Sequence, residues 1–170
     1  ASAQQMHKMG GLVILNASPV QQKMEEILSL ADILLVNELE AMQLLALSEP
    51  VNAQNAIAMV EKLASGRQSA VITLGKAGAA WAIRQGKSGL VPGFSVDVVD
   101  TTGCGDAFAG AFSAAIASDH SMESAVIFAN AAGALAATRE GAQASLPLRA
   151  TIESFIAQNI STNSNNYSRA

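Results

Sequence analysis

Residues 32–47, DILLVNELEAMQLLAL, change their hydrophobic pattern within one short stretch. The first part, DILLV, is a run of leucine and β-branched residues with the length of a buried strand. Directly after it, Asn37 stands in a helix-capping position, and Glu38 and Glu40 follow where acidic side chains favour the first turn of a helix. The stretch therefore predicts a strand that passes straight into a helix, as in α/β proteins.

The same alternation recurs on both sides of this junction. Strand-like runs occur at 11–17 (GLVILNA) and 69–75 (SAVITLG), and the segments 20–30 and 53–65 between the strand candidates carry apolar residues at helical spacing. Segments of this length suit the crossovers of parallel βαβ units. We therefore predict a doubly wound, mostly parallel α/β sheet with flanking helices.

The texture of the sequence changes after Gly78. Residues 79–98 contain short strand-like pieces separated by Gly-Lys-Ser-Gly and Pro-Gly, which predict antiparallel edge strands. Three helices are predicted after this region, at about 106–118, 122–138 and 148–158. We expect one domain over 1–160, and the polar, Asn/Ser-rich segment 161–170 is predicted to be a frayed tail.

Composition excludes several classes of partner. The chain has 170 residues, of which 50% are hydrophobic and 14% charged, with a net charge of -4 and no cluster of Lys or Arg. Neither nucleic acid nor a membrane surface is therefore an expected partner, and no apolar run is long enough to span a bilayer. A single cysteine rules out an internal disulfide and is compatible with a cytoplasmic location. The N-terminus lacks the pattern of a secretory signal and is interpreted as mid-chain sequence.

The most informative motif is DTTGCGD at residues 100–106. Its glycines let the backbone turn tightly at a loop-to-helix junction, so that the amides of Gly103, Cys104, Gly105 and Asp106 can converge on an anion. An acid beside such a cradle is explained best if Asp106 accepts a proton from a hydroxyl that attacks phosphorus, which indicates phosphoryl transfer. The alternative is an ordinary turn in which Asp106 caps the helix.

The longer segment DTTGCGDAFAGAF resembles the C-terminal signature of ribokinase-like carbohydrate kinases, the pfkB family. Asn37 and Glu40 match the family's Asn-x-x-Glu element, which acts near magnesium and the nucleotide phosphates, the Glu through water. Thr73, Gly75 and Gly78 match its Thr-x-Gly-x-x-Gly element at the ATP site. Without the resemblance, these two patterns would be a helix cap and a strand exit.

The resemblance also implies a site for a monovalent cation, usually potassium. TREGAQASLP at 138–147 is similar to the family segment whose carbonyls help to hold that ion. The candidate ligands, several of them through main-chain oxygen, are Asp100, Thr102, Ala136, Arg139, Gly141 and Ser145. The alternative for this segment is a well-capped helix end. Asn130 matches a position that often borders the adenine, although it can equally be a satisfied amide of the core.

Other conspicuous residues receive structural interpretations. His7 and His120 have no partner at ligand spacing, which argues against a zinc site or a Ser/His nucleophile. Cys104 at a helix N-terminus has the setting of a reactive thiol, but the resemblance favours a small side chain whose amide matters. Trp81 is expected to pack in the core or at a sheet edge.

The resemblance implies an ATP-dependent sugar kinase that uses Mg²⁺ and a monovalent cation, with K⁺ expected. A homodimer is a possible state of the intact protein. It extends over nearly all of this chain but over only the second half of a family member, so we expect the N-terminal substrate and lid half to be absent. Two alternatives remain open. One is a kinase of a nucleoside, pyridoxal or hydroxymethylpyrimidine, and the other is a non-catalytic nucleotide-binding module or split subunit.

Overall fold

The computed structural model describes residues 2–21, 24–65 and 68–167. The chain divides into two compact units, an N-terminal unit, Ala1–Pro92, and a C-terminal unit, Gly93–Ala170. Residues 22–23 of the predicted helix at 20–30 lie outside the described residues, as do residues 168–170 of the predicted tail. No helix in the described ranges has both the length and the apolar character needed to cross a membrane.

The N-terminal unit is built on a five-stranded mixed sheet in the order β1-β2-β3-β4-β5. The strands are β1 (Ile14–Asn16), β2 (Ile33–Asn37), β3 (Ser69–Thr73), β4 (Ala79–Ala82) and β5 (Ser88–Val91). The pairs β1–β2 and β2–β3 are parallel, whereas β3–β4 and β4–β5 are antiparallel. Within this sheet β4 alone runs against the other four strands, which confirms the α/β fold class and the antiparallel edge.

Among the described residues, this unit contains the α-helices α1 (Ser2–Lys8), α2 (Glu25–Leu28), α3 (Glu38–Leu44) and α4 (Ala56–Ala64). Alternate strand residues such as Leu34 and Ile72 form a core with Val60 of α4, which is 0% exposed. This arrangement follows from the two periods of the sequence, because strand side chains alternate between faces while the apolar stripe of α4 repeats about every 3.6 residues. The crossover helices are shorter than predicted, since α2 has four residues.

Trp81 lies on β4 and is 5% exposed, so it is a buried side chain of the sheet. It pairs across the ladder with Gly89 of β5, where an added Cβ would lie 3.2 Å from the indole ring. The indole nitrogen has no hydrogen-bond partner within the described residues. The ladder ends at Val91, so the predicted strand character of 92–98 is not realised.

The C-terminal unit consists of α5 (Cys104–Ile116), α6 (Met122–Ala137) and α7 (Arg149–Tyr167) with their connections. Small residues on α5 and α6 let the two helices pack closely around Phe112, which is 0% exposed. Ser121 caps α6, as its Oγ accepts a hydrogen bond from the amide of Ser124 at 3.2 Å. Hydrogen-bonding caps of this kind are worth about 1 kcal/mol.

The helix ends differ from the predictions in two places. α5 begins at Cys104 rather than near 106, because Gly103 takes a left-handed conformation with φ of 79° and serves as the N-cap. α7 continues to Tyr167, beyond the predicted end near 158. The predicted domain boundary at 160 therefore falls within a continuous helix.

Candidate functional site

The carboxyl ends of two parallel strands bring three of the predicted residues together in the N-terminal unit. Asn37 and Thr73 are the last residues of β2 and β3, and they are paired in register. Glu40 lies in the first turn of α3, which starts immediately after β2. Ligands of open α/β sheets bind outside the carboxyl ends of the strands, so this edge is the binding edge that the topology favours.

Asn37 and Glu40 hold each other in a reciprocal capping box. The Asn37 Oδ1 accepts a hydrogen bond from the Glu40 amide at 2.9 Å, and the Glu40 Oε2 accepts one from the Asn37 amide at 2.8 Å. Glu40 is only 6% exposed, so its carboxylate is not the solvated acid that a simple cap would provide. The cap and a ligand role are therefore compatible, since the second carboxylate oxygen takes no part in the box.

The turn after β3 contains two glycines with positive φ. Gly75 has φ of 53° and Gly78 has φ of 102°, conformations that side-chain-bearing residues rarely adopt. A hydrogen bond of 2.8 Å from the Leu74 amide to the Gly78 carbonyl closes the turn. The Thr73 hydroxyl donates to the Val36 carbonyl at 3.4 Å, which ties the ends of β2 and β3 together.

In the C-terminal unit, Gly103 sets the start of α5. Besides its left-handed φ, a Cβ added at Gly103 would lie 3.0 Å from the Cα and 3.2 Å from the carbonyl oxygen of Ala142. Both neighbours are backbone atoms and cannot swing away. The loop around Ala142 therefore supports the first residue of the predicted anion cradle from behind.

The amides of the cradle are unequal in availability. The Cys104 amide already donates to the Thr101 carbonyl at 3.2 Å. No acceptor within the described residues takes the amides of Gly103, Gly105 or Asp106. These three amides lie at the positive end of the helix dipole and are open to an anion. The cradle therefore offers three available amides, whereas the sequence predicted four.

Asp106 is the third residue of α5 and is exposed. It is not the helix cap, since Gly103 occupies that position, so the alternative interpretation as a capping Asp does not apply here. Its carboxylate makes no hydrogen bond or ion pair to any residue that the structure describes. An unengaged acid next to open amides is suited to accept a proton.

The Asp100 carboxylate links two loops through hydrogen bonds. Its Oδ1 accepts a hydrogen bond from the Thr102 amide at 2.9 Å, and its Oδ2 accepts one from the Gly141 amide at 3.0 Å. The Thr102 amide, followed by the Gly141 amide, stabilises the ionised form and lowers the pKa of this carboxyl below its ordinary value. Asp100 therefore stays charged and holds the loop before α5 against the loop after α6.

Of the remaining cation-site candidates, Ala136 lies in the last turn of α6, and Arg139, Gly141 and Ser145 lie on the loop that follows it. Gly141 has φ of 86°, and the Ala136 carbonyl accepts a hydrogen bond from the Arg139 amide at 3.1 Å. Ser145 is 0% exposed, and its hydroxyl donates to the Ala142 carbonyl at 2.8 Å. The structure joins Asp100, Thr102 and Gly141 by direct hydrogen bonds.

Cys104 is half-buried at the start of α5. Burial, with a smaller contribution from the charge of Asp100, raises the pKa of its thiol above the ordinary value. This outweighs the favourable position at the helix N-terminus. Cys104 is therefore a poor nucleophile at neutral pH, in line with the interpretation that its small size matters.

Asn130 lies on α6, where it is 8% exposed among alanines. This burial is what a core amide shows, and a contact with adenine stays a prediction. In the described part of the chain no cluster of three or more His, Cys, Asp or Glu side chains is arranged to hold a metal.

Sequence reasoning missed two residues that shape this region. Ala142 supports Gly103, and the Ala137 carbonyl accepts hydrogen bonds from the amides of Val99 and Asp100 at 2.8 and 3.2 Å. Both act through backbone atoms, so their side chains gave no signal.

Asn37, Glu40 and Thr73 thus form one group at the carboxyl ends of β2 and β3. Asp100, Thr102 and Gly141 form a second group beside the start of α5.

Comparison with known proteins gives consistent relationships. The profile of pfkB family carbohydrate kinases matches residues 1–149. The ribokinase of Haemophilus influenzae is 38% identical over 156 residues, which cover 91% of this chain and 50% of that protein.

Solved structures show the same likeness. The Arabidopsis thaliana ribokinase complexed with ribose and ATP aligns with a TM-score of 0.78 and 30% identity, covering 91% of this chain and 50% of its own. A putative ribokinase II from E. coli in complex with ATP and Mg²⁺ aligns with a TM-score of 0.73 and 28% identity, covering 92% and 52%. The chain spans about half the length of the curated relatives it matches.

Proposed function

Because this chain belongs to the pfkB family of carbohydrate kinases, we propose that it is the nucleotide-binding and proton-accepting half of an ATP-dependent sugar kinase of the ribokinase type. The complementary half, defined as the part of the ribokinase relatives that this chain does not match, would supply most contacts to the sugar and the lid. That activity would need this chain together with the complementary half, because the chain spans about half the length of the relatives it matches.

The observation that carries the proposal is the free carboxylate of Asp106 beside open amides at the start of α5. Asp106 would take the proton from the sugar hydroxyl as that oxygen attacks the γ-phosphorus, while the bond from this phosphorus to the β,γ-bridging oxygen breaks and ADP leaves. The amides of Gly103, Gly105 and Asp106, with a lesser part for Cys104, would stabilise the charge on the transferring phosphoryl group. Stabilisation of this kind is the main contribution a protein makes to phosphoryl transfer.

In the N-terminal unit, Thr73, Gly75 and Gly78 would contact the nucleotide. Asn130, in the C-terminal unit, is proposed separately as a residue that borders the adenine. Glu40 would hold Mg²⁺ through water, and Asn37 would lie near the ion and the nucleotide phosphates. An amide and a buried carboxylate at one strand end fit this ion, because Mg²⁺ is usually bound by one or two carboxylates, water and the phosphates. Bound Mg²⁺ neutralises charge on the phosphates.

A monovalent cation, K⁺ in preference, would bind near the loop after α6. Asp100, Thr102, Ala136, Arg139, Gly141 and Ser145 are the proposed ligands. An ionised Asp100 and a loop with main-chain carbonyls provide the hard oxygen donors that an alkali ion requires. Both Asp100 oxygens already accept amide hydrogen bonds, so the ion would use their remaining lone pairs.

The acceptor would be a small sugar, in line with the ribokinase relatives. Kinases of nucleosides or pyridoxal-like substrates are the alternative within the same chemistry, and a substrate panel on an intact protein separates them. Homodimerisation and a cytoplasmic location stay predictions from the sequence.

The test uses a restored kinase, in which this chain is joined to the complementary half of the H. influenzae ribokinase. We expect Asp106→Asn to lower the turnover number by about 10² to 10⁴-fold, the usual contribution of a general base, with ATP affinity nearly unchanged. Asp119→Asn, the same substitution just beyond the other end of α5, is the matched control. Undiminished turnover of Asp106→Asn would refute the role of the base.

The second candidate function is a non-catalytic nucleotide-binding subunit, and it is considered because the chain covers half of its relatives. It predicts ATP binding without sugar phosphorylation even in the restored protein. Calorimetric titration with ATP, alongside a phosphorylation assay, distinguishes the two functions.

A further inference from the structure

The loop after α6, residues 138–148, connects that helix to α7 through a series of turns and bends. It carries three of the proposed cation ligands, Arg139, Gly141 and Ser145, and the backbone of Ala142 that lies against Gly103. Most side chains of this loop are exposed, and segments with few buried groups open easily. The shape of the loop therefore depends on how its two ends are held.

The two ends of the loop are held in different ways. At the first end, Thr138 continues the hydrogen bonding of α6, because its amide and its hydroxyl donate to the Leu135 carbonyl at 3.2 and 2.7 Å. At the second end, Arg149 is the first residue of α7, and its side chain reaches the end of α5 and the side of α6. Its Nη2 donates a hydrogen bond to the Ser118 Oγ at 3.2 Å, and its Cζ lies 5.6 Å from the centre of the Phe128 ring.

Both contacts of Arg149 suit a guanidinium group. The Ser118 hydroxyl donates its own proton to the Ala114 carbonyl at 2.9 Å, so its lone pairs are available to accept from Arg149. Phe128 is 5% exposed and therefore fixed in the core, and a planar guanidinium stacks on such a ring. Arg149 thus ties the second end of the loop to two helices that pack against each other.

The position of Arg149 is unfavourable for α7 itself. The N-terminal end of a helix carries partial positive charge, so acids are favourable there and cations are not. The described first turn of α7 has no acidic residue and begins with this arginine. Its ion pair with Glu153 is long, at 3.8 Å, and exposed on both sides, and such pairs contribute little to stability. The contacts outside α7 therefore explain the arginine better than the stability of the helix does.

We propose that Arg149 is a positioning residue for the monovalent cation, because it fixes the second end of the loop after α6 and so holds the main-chain oxygens of the loop in place before the ion binds. The inference rests on the cation site of the proposed function. Several oxygens must hold an alkali ion at once, so a loop that is ordered in advance binds it more tightly than one that the ion must order. The loop also carries the Gly141 amide, which donates to Asp100 at 3.0 Å. Loss of the Arg149 contacts therefore weakens both cation binding and the link to Asp100.

The experiment measures cation binding without catalysis. All the proposed cation ligands lie in the C-terminal unit, so this chain alone provides them. The melting temperature is recorded while KCl replaces tetramethylammonium chloride at constant ionic strength, since the methyl groups of that cation keep oxygen ligands away from its charge. We expect KCl to raise the melting temperature, because an ion that binds only the folded chain stabilises it. Arg149→Gln should raise the KCl concentration at half of this rise by about tenfold, a usual cost of removing a group that orients metal ligands.

Glu153→Gln is the matched control, because it removes the ion pair of Arg149 and leaves both contacts outside α7 in place. Its KCl concentration at half of the rise should equal that of the unmodified chain. Ser118→Ala is a second variant, which removes the hydrogen-bond acceptor and keeps the contact between Arg149 and Phe128. It should shift the KCl concentration in the same direction as Arg149→Gln, by a smaller factor.

A purely structural role of Arg149 gives a different result. Arg149→Gln would then lower the melting temperature equally in both salts and leave the KCl concentration at half of the rise unchanged, which overturns the proposal. If Arg149→Gln does not fold, an unchanged KCl response of Ser118→Ala overturns it instead. No response of the unmodified chain to KCl also overturns it, because the chain then holds no cation site for Arg149 to organise.

The restored kinase separates this inference from the proposed function. Sugar phosphorylation with the same KCl dependence in Arg149→Gln and in the unmodified protein supports the kinase and contradicts the role of Arg149. A shifted KCl response of the Arg149→Gln chain, without phosphorylation of any sugar by the restored protein, supports the role of Arg149 and contradicts the kinase.

Discussion

Gly103 and Gly105 stand two residues apart at the start of α5, and the same substitution should have opposite effects at the two positions. Gly103→Ala places a side chain in a left-handed conformation, which costs about 1–2 kcal/mol. It also drives a Cβ to 3.0 Å from the Ala142 Cα, an overpacking that costs about 1–3 kcal/mol. The free energy of unfolding should therefore fall by about 2–5 kcal/mol.

Gly105→Ala is the matched control. Its Cβ would meet nothing within 4 Å, and the residue is helical, so alanine should raise the free energy of unfolding by up to about 1 kcal/mol. Urea denaturation followed by circular dichroism measures both, because α5, α6 and α7 contain most of the helix. In a restored kinase we expect Gly105→Ala to lower turnover despite its stability, as the new methyl group borders the amides that receive the phosphoryl group.

The outcome that would refute this reasoning is specific. If Gly103→Ala destabilises the chain by less than about 1 kcal/mol, the left-handed cap and its contact with Ala142 do not constrain the start of α5. Equal effects of the two substitutions would show that the loss of glycine itself matters, and that its position does not.

Three further predictions concern Asp100, Cys104 and Asn37. The pKa of Asp100 is lowered in the folded chain, so its ionised carboxylate contributes fully to stability above the ordinary pKa of Asp, about 3.9. This contribution is lost as the pH falls through the lower pKa of the folded chain. Asp100→Asn should therefore lower the melting temperature at pH 7 and have little effect at strongly acidic pH. Because Cys104 is half-buried and the pKa of its thiol is raised, iodoacetamide should alkylate the folded chain at neutral pH more slowly than the urea-unfolded chain, as followed by mass spectrometry. Asn37→Ala should cost about 1 kcal/mol in urea denaturation by removing the cap of α3, whereas Asn37→Asp should keep the cap.

Each of these has a result that contradicts it. The Asp100 prediction is contradicted if Asp100→Asn lowers the melting temperature of the chain by the same amount at acidic and at neutral pH. For Cys104, it is alkylation at the same rate in the folded and unfolded chains. For Asn37, it is an Ala variant as stable as the Asp variant.

The elements that could be predicted from the sequence are those with local causes. The junction of β2 and α3 at Asn37 follows from a buried strand pattern and a cap with a Glu three residues later, and the structure contains that capping box. The antiparallel edge is indicated by the Gly-Lys-Ser-Gly stretch at 86–89, but the turn itself spans 83–87, where Gln85 has φ of 52°, and Ser88 and Gly89 belong to β5. Both signals lie within a few residues of the structure they determine.

The parts that escaped prediction depend on contacts between distant segments. Asp100 and Gly141 are 41 residues apart, and the motif alone does not identify the amide that Asp100 accepts. Gly103, the left-handed cap of α5, lies against the backbone of Ala142, a residue without chemical distinction in the sequence. The sequence also does not reveal that the Cys104 amide donates a hydrogen bond to the Thr101 carbonyl and is therefore less available to an anion.

Trp81 has a practical consequence for studying this protein. It is the one tryptophan of the chain, and it is buried in the sheet of the N-terminal unit with its indole nitrogen unpaired within the described residues. Its fluorescence is therefore an intrinsic optical reporter of that unit, while circular dichroism is weighted toward the helices of the C-terminal unit. Unfolding curves from the two signals, recorded on one unlabelled sample, would differ if the N-terminal and C-terminal units unfold independently and would coincide if they unfold together.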